Sequence, residues 1–193
     1  FLDSVNINFE ISLNKKTYLN RITITGNTRT QDEVIRREIG ISEGGLYSRS
    51  ILKKSLLNLR RLGYFSDVQI STSEVEGMSD KIDINFNLEE TQTGSVSFSM
   101  SHSNNYGVSF GAGIQEKNIF GSGNTLNADL KIAKSFNKVS FYFMNPNFND
   151  EGHSVSIGAF KSEIDNDDVA ANSYEIDSTG VTFGYGLPLS DDT

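Results

Sequence analysis

The chain has 193 residues, with 17 Lys plus Arg against 25 Asp plus Glu and a net charge of -8, so it lacks the concentrated basic surface that nucleic-acid binding needs. With no Cys and two His, His102 and His153, it has no disulfide, no thiolate nucleophile or metal ligand, and no histidine-rich metal centre. No apolar run of about 18 residues marks a transmembrane helix, although barrel strands, which carry only alternating hydrophobicity, escape that test.

The averages conceal two unlike halves. Residues 1–90 hold 12 basic and 13 acidic residues, whereas residues 91–193 hold 5 and 12, together with 9 of the 13 Phe, 11 of the 17 Gly and both Pro. The first half reads as an ordinary soluble domain. The second, poor in charge and rich in Phe and Gly without helical periodicity, reads as a sheet of long strands. The chain opens on Phe1 and not on a start Met, so it reads as a cut piece of something longer.

In residues 4–11, Val5, Ile7, Phe9 and Ile11 alternate with Asn6, Asn8 and Glu10, which predicts a half-buried strand. Its partners are absent from the sequence, so it is expected to close a preceding domain, with Asn14-Lys15-Lys16 as the linker. Leu19, Ile22 and Ile24 predict a second strand ended by a Gly26-Asn27 turn. Thr30 and Glu33 have the spacing of a capping box. The helix it would start carries Val34, Ile35 and Ile39 inward, and Gly40 is expected to end it. Ser48 is placed to cap a second helix bearing Ile51, Leu52, Leu56, Leu59 and Leu62, with Gly63 at its close. A hairpin follows: Phe65, Val68 and Ile70, a turn at Gly77, then Ile82, Ile84, Phe86 and Leu88.

The order β-α-α-β-β fits any small α+β domain, but the motifs are narrower. The stretch TITGNTRTQDEVIRREI, then GLYS, then LRRLGYFSDVQI and an alternating closing strand resembles a POTRA domain from Tyr18 to Glu90. Leu62-Gly63-Tyr64-Phe65 leading into Val68 is its most specific part. The expected organisation is the end of a preceding POTRA domain at 1–13, a POTRA domain at 14–91, and the N-terminal part of an outer-membrane β-barrel at 92–193. Residues 18–90 are expected to fold alone.

Beyond Thr91, six alternating sets appear. Val96, Phe98 and Met100 alternate with Ser95, Ser97, Ser99 and Ser101; Tyr106 to Ile114, Leu126 to Ile132, Val139 to Phe143, Val155 to Ala159 and Val181 to Leu187 follow. Each spans about nine to eleven residues, enough to cross a bilayer when tilted. A soluble sandwich shows the same alternation, so the connectors must decide. Ile119-Phe120-Gly121-Ser122-Gly123 and Pro146-Asn147-Phe148-Asn149-Asp150 are compact and aromatic, as periplasmic turns at an interfacial girdle are. Ser103-Asn104-Asn105 and Ser135-Phe136-Asn137 are short and polar, and Glu163 to Asp177 reads as a long acidic extracellular loop. Gln115 to Leu126 and Met144 to Phe148 resemble turns of the BamA-type barrel family. Six strands cannot close a membrane barrel, whose smallest form has about eight.

The resemblance implies a non-enzymatic factor, without a cofactor, that assembles and inserts β-barrel proteins into the bacterial outer membrane. It would do so by β-augmentation at a lateral gate, with the POTRA domain in the periplasm. It also implies the partners: unfolded outer-membrane clients, accessory lipoproteins of an assembly complex, periplasmic chaperones and membrane lipid. The first barrel strand, Gly94, Ser95, Val96, Ser97, Phe98, Ser99, Met100 and Ser101, would line the gate. The POTRA strand Val68, Gln69, Ile70, Ser71, Thr72 and Ser73 would offer a second edge to a client or partner. A two-partner-secretion transporter of the same architecture and a closed pore are the alternative readings. Asp165, Asp167 and Asp168 lack the glycine and distal Glu of a calcium loop and read as a solvated loop. Arg36-Arg37 and Arg60-Arg61 read as wet helix faces.

Overall fold

A computed structural model describes residue 8 and residues 16–104, 107–166 and 174–188. The strand expected at 4–11, and with it the end of a preceding domain, lies outside these residues.

The first module contains β1 (Tyr18–Thr25), α1 (Asp32–Glu38), α2 (Arg49–Leu62), β2 (Phe65–Val75) and β3 (Met78–Glu90). Its three-stranded sheet has the order β1-β3-β2, with β1 parallel and β2 antiparallel to the central β3. Alternation along β3 buries Ile84, Phe86 and Leu88 together. Val34, Ile35 and Ile39 of the first helical segment and Leu52 and Leu59 of α2 close over them. Ser55, also buried, is satisfied: its hydroxyl donates to the Ile51 carbonyl (2.9 Å) and accepts from the Gly40 N–H (3.3 Å). The predicted strands and helices of this module are therefore present, and α2 closes on Gly63 in the left-handed region (φ 71°), where a residue without Cβ is unstrained.

The predicted helix ends differ in detail. No capping box forms: α1 starts after Gln31 with no side-chain cap, because the Thr30 N–H is bound by Glu90 and its hydroxyl by Asn118. Gly40 is not the cap either. The first helix ends at Ile39, whose backbone is extended while its N–H still reaches the Arg36 carbonyl. Ser48 precedes α2, but its hydroxyl bonds the Ser50 hydroxyl and not a backbone N–H of the helix.

The second module is one antiparallel sheet in chain order: β4 (Gly94–Ser103), β5 (Gly107–Ile119), β6 (Asn124–Ala133), β7 (Phe136–Asn145), β8 (Ser154–Asn166) and β9 (Tyr174–Gly186). All six expected strands are there, several longer than expected. The acidic stretch read as a loop from Glu163 to Asp177 is shorter than that: β8 and β9 pair Glu163 with Asp177 and continue to Asn166 and Tyr174. Phe136 and Asn137, read as part of a turn, begin β7.

Register carries the alternation across the sheet. Phe98, Ala112, Leu130 and Val139 stand opposite one another on successive strands, as do Ile157 with Phe183 and Ala159 with Val181. This face is apolar and exposed, with Phe98 at 83% and Val181 at 74%, and on β8 it ends at the Lys161–Glu163 ion pair. The other face is small and polar. Ser99, Gly111, Lys131 and Lys138 align across it, and the two ammonium groups lie over Phe136 and Phe160 at 5.7 and 5.8 Å. A sheet apolar on its exposed outer face and polar on the inner one is built for a bilayer outside and water inside. No helix among the described residues is long and apolar enough to cross a membrane.

Candidate functional site

Strand β4 pairs with β5 without a bulge from Gly94↔Glu116 to Ser103↔Gly107. Just before it, the Lys117 N–H donates to the Thr93 carbonyl (3.3 Å), which makes Thr93 and Lys117 a hydrogen-bonded pair. Hydrogen-bonded and non-bonded pairs alternate along an antiparallel ladder. Ser95, Ser97, Ser99 and Ser101 therefore direct their backbone groups to β5. Gly94, Val96, Phe98 and Met100 direct theirs to the opposite edge, where β4 has no neighbour among the described residues. The residues that point side chains to lipid thus also hold the backbone groups of the free edge. All ten residues of β4 are exposed. On the polar face, the Ser99 hydroxyl lies 2.4 Å from where a Cβ on Gly111 would stand and the Ser97 hydroxyl 2.8 Å from that of Gly113, so the serines pack into the space the glycines leave.

The POTRA sheet has two edges of different character. That of β1 is covered: the Gly44 N–H donates to the Leu19 carbonyl (2.8 Å), the Leu19 N–H donates to the Gly45 carbonyl (2.9 Å), the Tyr47 N–H donates to the Thr17 carbonyl, and the Glu43 carboxylate takes the Ile22 N–H. That of β2 is covered only at its start. Arg60 donates to the Val68 carbonyl (3.4 Å), and Asp67 accepts from the Val68 N–H and from Gln69 Nε2 (2.8 Å each). The Gln69 side chain and the Val68 amide together hold the Asp67 carboxyl below its usual range. Ile70, Ser71, Thr72 and Ser73 pair with β3 alone.

Between these edges lies a joint that sequence reading did not find. The linker from Glu90 to Gly94 is three residues long, and it is tied on both sides: the Thr91 N–H donates to the Tyr64 carbonyl (2.9 Å), and Thr93 bonds Lys117 and the Glu116 carboxylate. The buried Tyr64 hydroxyl lies 3.1 Å from the Lys117 carbonyl and 3.3 Å from that of Gly123, sharing one proton between them. Asn118, also buried, donates to the Thr30 hydroxyl (2.9 Å) and accepts from the Gly123 N–H (2.7 Å). The Gln31 N–H donates to the Gly121 carbonyl (2.9 Å). Behind this contact, Glu90 accepts from Thr28, Arg29 and Thr30 at 2.6–2.9 Å. Burial raises its pKa, but these bonds outweigh that and bring it down to about 2, so the carboxylate is ionised at any physiological pH. The clues in sequence are Asn118, Gly121 and Gly123 within one turn, but their POTRA partners lie 59 to 90 positions away.

The remaining sites are unremarkable. His153 bonds the Tyr185 hydroxyl (2.6 Å) and Asn149 and faces Glu151 at 3.2 Å; His102 lies in β4. Asp165 lies in β8, while Asp167 and Asp168 fall outside the described residues. Among the described residues no three His, Asp or Glu side chains converge on a metal position. Arg36 pairs with Asp32 and Arg60 with Asp67 on exposed surface.

Residues 17–91 match the POTRA model, described as a surface antigen variable number repeat, and residues 118–193 match the Omp85 superfamily domain. The chain belongs to the Omp85 superfamily. Its barrel strands are those of an outer-membrane barrel, and its POTRA domain is periplasmic. It is 32% identical over 187 residues to the outer membrane protein assembly factor BamA of Neisseria meningitidis serogroup B, an alignment covering 97% of this chain and 23% of that protein. The chain thus spans about a quarter of that relative's length. Among solved structures, BamA from Haemophilus ducreyi lacking POTRA domains 1–3 superposes with a TM-score of 0.78 at 27% identity, over 93% of this chain and 34% of that one. CdiB from Acinetobacter baumannii, at TM-score 0.63 and 16% identity over 92% and 35%, shares the Omp85 fold.

Proposed function

We propose that this chain is the gate-bearing part of a factor that assembles β-barrel proteins into the bacterial outer membrane, with β4 as the strand on which client strands form. The observation that carries the reading is the division of labour along β4. Its serines bind β5 through their backbone, while Val96, Phe98 and Met100 hold an outward ladder edge at the lipid-facing surface. A strand entering lipid must satisfy every backbone N–H and C=O, at several kcal/mol for each group left unpaired. Such an edge satisfies one side of the client before it leaves water, by β-augmentation. The names of the BamA relatives support the same reading.

The process needs no covalent step, nucleotide or cofactor: hydrogen-bond templating at the outer edge of β4 suffices. Its partners are unfolded barrel clients and the surrounding lipid, with accessory lipoproteins and periplasmic chaperones delivering to the POTRA side, where Ile70 to Ser73 offer a second edge. The full-length protein, reconstituted alone in liposomes, is expected to speed folding of a barrel client at least tenfold over empty liposomes without added nucleotide. Equal rates with and without it would end the proposal.

A further inference from the structure

The joint does more than connect. The buried apolar cluster lies wholly in the POTRA domain, so that core does not require the two modules to meet at one angle. Yet polar groups from both sides are buried where they touch. A buried polar group without a partner is costly, so Tyr64, Thr30 and Asn118 are satisfied together only in one relative placement. The backbone of the β5–β6 turn is shaped for that placement. Gly121 has φ 72°, and a Cβ there would fall on the Arg29 carbonyl oxygen. The turn therefore approaches the POTRA backbone as closely as glycine allows.

We propose that Tyr64, Thr30, Asn118 and Gly121 form a clasp that fixes the orientation of the POTRA domain against the first barrel hairpins. They are positioning residues, holding the open β2 edge in a set relation to β4. That they serve client delivery rests on the assembly reading; that they set the orientation does not. The clasp bonds the POTRA domain to the strand next to the gate, so a shift of the domain is felt first at β4 and β5.

The test uses the full-length protein in lipid nanodiscs, free of other cysteines, with spin labels at Ser73→Cys on β2 and Asp150→Cys in the β7–β8 turn, both exposed. Thr30→Val with Tyr64→Phe removes two hydroxyls from the POTRA side and alters no backbone or apolar packing. Gly121→Ala wedges the joint from the barrel side. Gly152→Ala is the control: it has the same backbone strain (φ 77°) in the other POTRA-side turn, but its nearest neighbours are 3.7 Å away and none is in the POTRA domain. The parent and Gly152→Ala should give one narrow distance distribution. The double variant and Gly121→Ala should at least double its width while the barrel remains folded in gel-shift assays, and Thr30→Ser should restore the narrow form at that position. Should Gly121→Ala not fold, the isosteric pair decides alone. Parent-like widths in the double variant, or equal broadening by Gly152→Ala, overturn the clasp. Client folding measured on the same samples separates the two ideas: broadening with parental assembly overturns the delivery role and leaves the orientation role standing.

Discussion

Phe98→Pro in the full-length protein is expected to cut client assembly on the order of a hundredfold while the barrel stays folded. Phe98 stands opposite Ala112 in a pair that is not hydrogen-bonded to β5, so its N–H belongs to the outer edge. Proline removes that donor, and its ring obstructs a neighbouring strand, yet the ladder to β5 survives; edge positions of this kind are where strands tolerate proline. One missing bond in a setting without water costs about 2–3 kcal/mol, which is roughly 30- to 150-fold in rate or equilibrium at about 1.4 kcal/mol per decade. Phe98→Val keeps the donor and an apolar side chain and should assemble clients within about twofold of the parent. Ser97→Pro, one residue away, breaks the ladder to β5 and should show first as a less heat-resistant barrel. Kinetics of client folding in liposomes, read beside gel mobility of the unheated variants, distinguishes the three. If Phe98→Pro assembles clients at the parental rate, the outer edge is not the template.

Phe86→Ala should leave the POTRA domain largely unfolded near room temperature. Phe86 is wholly buried on the central strand, opposite Ile24 of β1 and Ile70 of β2, so its removal opens a cavity that no single neighbour can fill. Phe-to-Ala changes in such places cost about 3–5 kcal/mol, against a total of roughly 5 kcal/mol for a domain this small. Urea unfolding of residues 16–91 measures it. Phe120→Ala in the whole chain, where the ring is 89% exposed, should change barrel stability by less than about 0.5 kcal/mol. A parental midpoint for Phe86→Ala would mean that the core does not centre on β3.

Much of this architecture is readable in the residues because it depends on local periodicity. Period-two alternation placed β3 and all six barrel strands, and the Leu52–Leu59 face placed α2, since burying one face is what each element requires. Strand β4 is legible as a strand, but the direction of its backbone groups is not. Serine and phenylalanine say which side faces lipid, while the pairing phase shows only in the structure, at the bond between Thr93 and Lys117. Thr30 shows the opposite case. Its spacing to Glu33 is a sound local signal, but the ionised Glu90 carboxylate and the Asn118 amide, distant in sequence, claim its N–H and hydroxyl. The Glu163–Asp177 stretch misleads by composition. Glu163, Asp165, Glu175 and Asp177 sit on the paired ends of β8 and β9, beyond the apolar band.

Site-specific cross-linking in the full-length protein shows whether clients pair with the outer edge of β4. Single cysteines replace Val96, Phe98 or Met100 in turn, and a barrel client stalled during insertion carries single cysteines along one terminal strand. Pairing through the ladder predicts that each β4 position favours one client position, and that a step of two residues on β4 moves the partner by two on the client. Clients that fold at the parental rate with no cross-link to any of the three, or with one client cysteine joined equally to all of them, would contradict it.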